Sequence, residues 1–562
     1  MKTMKVWLIL GIACVLLNTA CSQSEPATLI LTNGKIASVD PDFSIHEAVA
    51  AKGSRIVHVG RSRDVKKLIG PDTEVIDLHG RLVLPGLIDA HGHLHSLADE
   101  ITYINISSCA GYQEIIDKVA ERAASLPPGE WIIGGRWDHN DWERKVFPEH
   151  GPLSRVSSDN PVYLRRIDGN SAFANRKALA IAGISRETPD PFGGVIVRDS
   201  NGEPTGVLIN RAMNLVLKHI PSESEKQRRD KFLKAVENCL SVGLTGVHEA
   251  GVGPREIALY KELIDQKRLD LRIYAMLGAQ EESPLEGDLE DYFRRNRIEE
   301  YGGYFLSVRS IKLFFDGALG SRGAAFYEDY SDDPGNNGLL RITPEYITKV
   351  AKAALKADMG VNTHCIGIRG NRLCLEAYAA AIKESTDRDH RFRIEHAQFV
   401  RPEDIALFTE YGIIPSMQPT HCTSDMPFVE DRVGPDRVRG GYAWRSFLDA
   451  GHIIPCGSDF PVESNNPMLG IYAAVTRRDR DGNPESGWYP DQRMTIREAV
   501  RGFTSWAAYA AFQQDVLGSI ETGKLADFTV LDTDILEAEP AAILKARPDF
   551  TIIDGKIRFR RE

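Results

Sequence analysis

From about residue 85 to residue 509 the chain alternates short apolar runs with amphipathic stretches of helical spacing, and this alternation restricts the fold more than any other feature. The runs 246–249, 271–276, 308–314, 360–364, 392–396, 413–418 and 453–459 read as strands; 112–125, 222–242, 254–267, 343–357 and 370–384 read as helices. Parallel strands need long crossovers, so strand–helix–strand repetition specifies a parallel sheet. The expected fold class is α/β, a (β/α)8 TIM-like barrel. The span exceeds the ~250 residues such a barrel needs, so it must carry insertions. The turn-rich stretch of about 131–220 reads as one, following the first strand and lying over the active-site mouth.

Both ends of the chain have a different texture. Residues 27–84 and 510–562 contain short strand-like runs with Asn33-Gly34 and Asp554-Gly555 between them, and Asn-Gly between apolar runs is a hairpin signal. They are expected to form one small β-sandwich domain flanking the barrel of residues 85–509. Ahead of them, Lys2 and Lys5 precede an apolar run at 6–17 and then Asn18-Thr19-Ala20-Cys21. This reads as a signal peptide over 1–20, too short for a membrane span. Cys21 after Thr19-Ala20 resembles a bacterial lipoprotein cleavage box, with residues 21–26 as a tether. The expected location is the bacterial cell envelope, lipid-anchored in the periplasm, or soluble there if Cys21 is not acylated. The six cysteines beyond it lack paired spacing and read as free core thiols.

The chemistry is concentrated at the ends of strand-like runs. His91 and His93 are two residues apart after Leu87-Ile88, so on a strand they project to one side, as half of a metal site would. Lys312, His364, His396 and Asp459 each lie at or near the end of a later run, and barrel active sites form at that end. Each alone is more often structural; the set in order is not easily accidental. A net charge of −11 without a long basic run argues against a nucleic-acid partner.

This order of residues resembles the amidohydrolase superfamily, in particular the amidohydrolase-3 branch with its N-substituted formamide deformylase-like proteins. The resemblance is carried by Pro85-Gly-Leu-Ile-Asp-Ala-His-Gly-His93, by 311–322 with Lys312, by Ile394-Glu-His-Ala-Gln398 and by Gly457-Ser-Asp-Phe-Pro-Val462. It implies that His91 and His93 hold one divalent metal and His364 and His396 another. Lys312 would bridge them as a carbamate formed from CO2, and Asp459 would bind the first metal and move the proton. One or two ions are implied, zinc by default. Trp137, Asp138, Asp316, Arg322, Gln398 and His421 are candidate substrate-pocket residues, and Glu249 could orient a metal-bound histidine.

The expected activity is hydrolysis of a C–N bond (amide, N-formyl or N-acyl) in a small-molecule substrate. Rivals are the same scaffold acting on a cyclic amide, an amine by deamination, or an ester, and a noncatalytic ligand-binding lipoprotein. The membrane would be engaged by the lipid anchor only, and association with further copies of the chain stays open.

Overall fold

A computed structural model describes residues 25–106, 109–137, 139, 142–166, 171–279, 288–385 and 389–562. The leader, Cys21 and Asp138 lie outside the described residues. Seven parallel strands form the barrel wall: β1 (Leu87–Gly92), β2 (Leu244–Val252), β3 (Arg272–Gly278), β4 (Leu306–Phe314), β5 (Gly360–Cys365), β6 (Arg393–His396) and β7 (Ile414–Ser416). They pair in chain order, β1 with β2 and so on to β7. β1 is buried along its whole length, as expected of a strand covered on both faces.

The eighth wall position is irregular. The stretch at 453–459 expected as a strand contributes only isolated parallel bridges, Cys456 to Met417 and Phe460 to Gly92. Asp459 N nevertheless donates to His91 O (2.7 Å) and Ala90 N to Cys456 O (3.0 Å), so the wall closes onto β1. Pro455 has no N–H to give to a ladder, and Asp459 has a left-handed backbone (φ +59°), which ends extended structure. Gly457 is required there: a Cβ would lie 2.5 Å from His91 N and 2.8 Å from Asp89 Oδ1.

The two chain ends do meet. Leu82–Pro85 pairs antiparallel with Phe528–Leu531 in a six-stranded sheet, and a four-stranded sheet around Leu29–Thr32 packs against it through Leu29, Leu31, Val49, Val83, Phe528 and Ile552. Asp554 and Gly555 close a true hairpin, both at positive φ as a tight turn of this kind needs. Asn33-Gly34 does not. Leu29–Thr32 pairs in the four-stranded sheet, whereas Lys35–Ala37 pairs in the other, so the turn passes the chain between layers. Local turn chemistry was legible there, but the partner strands were not.

A second six-stranded sheet, from Ile104–Asn105 to Pro204–Asn210, follows β1 and the helix α1 (Leu94–Thr102). Tyr112–Ser125 packs on it through Ile115 and Val119, so this unit begins nearer the barrel than residue 131. Ile104–Asn105 is too short to show a period. The six described cysteines are free and buried.

Candidate metal centre

β1 ends by delivering His91 into the barrel and His93 to the start of α1. Asp89 fixes this corner. Its Oδ1 accepts from His91 N (3.0 Å) and Ser458 N (3.1 Å), and its Oδ2 from the Ser458 hydroxyl (2.6 Å). Burial pushes the Asp89 carboxyl up to about 7. The first and eighth wall positions are thus tied together directly beneath the histidines.

The strand-end residues converge. His93 Nε2 lies 3.0 Å and His91 Nε2 3.5 Å from Asp459 Oδ1. Lys312 Nζ is 3.3 Å from His91 Nε2. The His396 ring centroid is 5.1 Å from that of His91 and 4.4 Å from that of His364. His396 and Ala397 have positive φ (+74° and +42°). That departure from strand geometry breaks the alternation, so Glu395 and its neighbour His396 both face the lumen.

Among the described residues two groups have ligand atoms all within 4.8 Å of one another: His91, His93 and Asp459, and His396, His421 and Asp459. His421, on α2 (Pro419–Asp425), is therefore part of the cluster, although the strand-end pattern gave it no metal role. His364 is in ring contact with His396 but stands outside both groups. Among the described residues its Nε2 and the Nδ1 of His396 are buried without a hydrogen-bond partner, and Asp316 Oδ1 is 3.6 Å from the former. Orphaned imidazole nitrogens beside an aspartate are what a divalent ion would satisfy.

The electrostatics agree with that reading. Burial, helped by the Lys312 charge, pushes His91 down to about 4 and His364 to about 3, so both rings are neutral donors at pH 7. Burial also lowers Lys312 to about 8. Asp459 goes the other way: burial opposes its ionisation, but hydrogen bonds from His421 and His93 hold it well below the usual carboxylate range. His421 lies between Asp459 Oδ2 (3.4 Å) and Glu463 Oε1 (3.6 Å), and despite burial these carboxylates raise it to about 10.

The other candidate pocket residues separate by place. Trp137 is in the core of the inserted unit, its indole N–H donating to Leu164 O (2.9 Å). Asp316 is fully buried and accepts from the backbone N–H groups of Ala325, Ile366 and Gly367, which fastens the loop after β4 to the loop after β5. Arg322 makes a forked pair with Asp332 near the surface. Gln398 donates to Asp425 Oδ2 (3.0 Å) and to the Tyr442 hydroxyl (2.7 Å). Glu249 accepts from Leu94 N (2.5 Å) at the start of α1 rather than from a histidine, so it holds the backbone beside His93.

Sequence reasoning missed Glu395, Arg393 and Glu463. Glu395 Oε2 is 2.6 Å from His91 Nδ1, and Arg393 Nε is 2.8 Å from Glu395 Oε1. Opposite charges two apart in an otherwise apolar strand were the available signal.

A parallel barrel with imidazoles, a buried lysine and an ionised aspartate gathered at its mouth defines a class: a barrel hydrolase with a site able to hold a divalent ion. A profile of the amidohydrolase family matches residues 74–559, and the chain belongs to that family. It is 34% identical over 519 residues to the protein LONG AFTER FAR-RED 3 of Arabidopsis thaliana, covering 90% of this chain and 88% of that one. It is 29% identical over 549 residues to N-substituted formamide deformylase of Arthrobacter pascens, covering 96% and 99%. Among solved structures, an uncharacterized metal-dependent hydrolase from Pyrococcus furiosus superposes with a TM-score of 0.73 at 26% identity, covering 91% of this chain and all of that one.

Proposed function

We propose that the protein is a metal-dependent hydrolase of a C–N bond in an amide, N-formyl or N-acyl amine. The observation that carries this is Lys312, fully buried, its amine 3.3 Å from His91 Nε2. Among the described residues no carboxylate pairs with it. Burial penalises the ammonium and lowers this group to about 8, so more of the reactive neutral amine is present near neutral pH than on an exposed lysine. That amine can add to CO2, forming an N–C bond and releasing a proton, and a carbamate there would supply anionic oxygen ligands for divalent ions.

His91, His93 and Asp459 would hold one ion and His364 and His396 a second, with the Lys312 carbamate shared between them, zinc by default. When bound, a divalent ion acidifies water and polarises a carbonyl. Asp459, kept ionised by His421 and His93, would accept the proton of the attacking water and return it to the leaving nitrogen. His421, backed by Glu463, presents a cationic ring to the same space and can donate to a substrate oxygen. The similarity to a formamide deformylase along nearly the whole chain supports the C–N assignment.

The test is a panel of N-formyl, N-acetyl and N-acyl-amino-acid substrates with metal-loaded and chelated protein. Turnover that follows the metal supports the reading; esters or amines hydrolysed in preference to every amide overturn the bond assignment. Lys312→Ala should abolish activity, with partial rescue by a short added carboxylate.

The leader at residues 1–20 supports export with acylation at Cys21 and membrane contact through the anchor alone, and membership of the amidohydrolase family supports a small-molecule substrate. Mass spectrometry of the mature N-terminus should find acylated Cys21, and Cys21→Ala should release the protein from membranes. An unprocessed Met1 would contradict it.

A further inference from the structure

We infer that Glu395 and Arg393 are positioning residues for the metal centre: Glu395 fixes His91 with Nδ1 protonated and Nε2 turned to the ion site, and Arg393 holds Glu395 in place. The inference rests on the metal-dependent reading of this site.

The geometry leaves His91 one arrangement. Its Nδ1 lies 2.6 Å from Glu395 Oε2, and both side chains are buried. Both Glu395 oxygens already face N–H groups of Arg393, so the carboxylate is the acceptor here and the shared proton sits on Nδ1. Nε2 is then the lone-pair nitrogen, and it is the one that faces Lys312 Nζ and Asp459 Oδ1. A hydrogen-bonded carboxylate behind a ligating imidazole fixes ring orientation and raises ligand basicity.

Arg393 in turn fixes Glu395. Arg393 Nη2 donates to Glu395 Oε2 (3.2 Å), while Nε faces Oε1 at 2.8 Å, an ion pair too bent to count as a hydrogen bond. The rest of the guanidinium reaches three other strands. Nη1 meets His248 Nδ1 (3.0 Å) on β2, and Nη2 also donates to Ala90 O (2.6 Å) on β1 and Ser416 Oγ (2.8 Å) on β7. The carboxylate behind His91 is therefore referenced to four strands of the wall. Packing does not call for this, because a buried ion pair is often no more stabilising than apolar residues of similar volume.

The test uses the full chain stripped of metal, with Zn2+ affinity read by competition against a chromophoric chelator and the visible spectrum of the Co2+ form as a second readout. The paired substitution Arg393→Met with Glu395→Leu removes both charges together, so an effect of charge imbalance on folding is avoided. We expect it to melt near the wild type, to bind Zn2+ about 10- to 100-fold more weakly, and to show an altered Co2+ spectrum. Glu395→Gln, which keeps an acceptor for His91, should lose less. A folded double variant with wild-type Zn2+ affinity and Co2+ spectrum overturns the inference while leaving the metal reading intact. Wild-type protein that takes up no Zn2+ overturns both. If the double variant does not fold, 15N NMR of histidine-labelled wild-type protein decides: Nδ1–H on His91 is expected, and Nε2–H would overturn the assignment.

Discussion

Arg272 and Arg393 each open a barrel strand, each is almost completely buried, and each pairs with a carboxylate, yet they serve different ends. Arg272 turns to the sheets made from the chain ends. Its Nε pairs with Asp527 Oδ2 (2.5 Å), and its Nη2 reaches Asp527 Oδ1 (2.9 Å) and Asp554 Oδ1 (2.5 Å). Asp527 Oδ1 also accepts from Asp554 N, so the network closes on itself as a staple between barrel and flanking sheets. Arg393 turns inward, and its carboxylate passes the contact on to His91. Burial of charge alone does not mark a functional site. What marks it is a carboxylate that reaches on to an imidazole whose other nitrogen faces Lys312 and Asp459 at the barrel mouth.

That contrast can be broken by experiment. The largest effect belongs to the mouth: Asp459→Asn should lower kcat at least ~100-fold by removing the proton carrier, while thermal melting shows a folded protein. Retained turnover would remove Asp459 from the chemistry. The next belongs to the base. Arg272→Met leaves the buried Asp527 carboxylate, and the partly exposed Asp554 beside it, without their cation and should cost about 3–5 kcal/mol in urea unfolding, with Zn2+ affinity of the folded protein unchanged. A large loss of affinity there would erase the distinction between the two arginines.

A pH experiment sharpens it further. An arginine stays charged through the working range, but Lys312, lowered by burial to about 8, changes state within it. The depressed value means that the neutral amine grows as pH rises through 8, from about a tenth at pH 7 to about nine tenths at pH 9. At fixed dissolved CO2, reactivation of stripped protein by metal should therefore be faster at pH 9 than at pH 7. A rate that falls over that interval would contradict carbamate formation on this amine. The smallest effect is expected at Arg322, whose partly exposed pair with Asp332 lies near the surface. Arg322→Ala should leave the melting temperature and kcat close to wild type.

Much of this was legible in the sequence because its signals are local. A run of apolar residues ending in His-x-His, or in Lys312, states both a strand and what it presents at its end. The parallel barrel follows from repetition of that unit. Long-range choices were not legible. Asn33-Gly34 announces a turn but not that its two strands join different sheets. Arg393 and Glu395 announce a charge pair but not that His91, about 300 residues earlier, is its object. His421 sits at the start of a helix rather than at a strand end, and its placement between Asp459 and Glu463 depends on how the irregular eighth wall segment turns.

The central claim is that the mouth of the barrel works through metal held by its histidines and Asp459. The most direct measurement removes metal from the purified protein, returns Zn2+ in steps, and follows bound ion and hydrolysis of an N-formyl amine together. Activity should be absent from the stripped protein and rise in proportion to Zn2+ bound, up to one or two ions per chain. Full activity in protein free of metal would contradict the account.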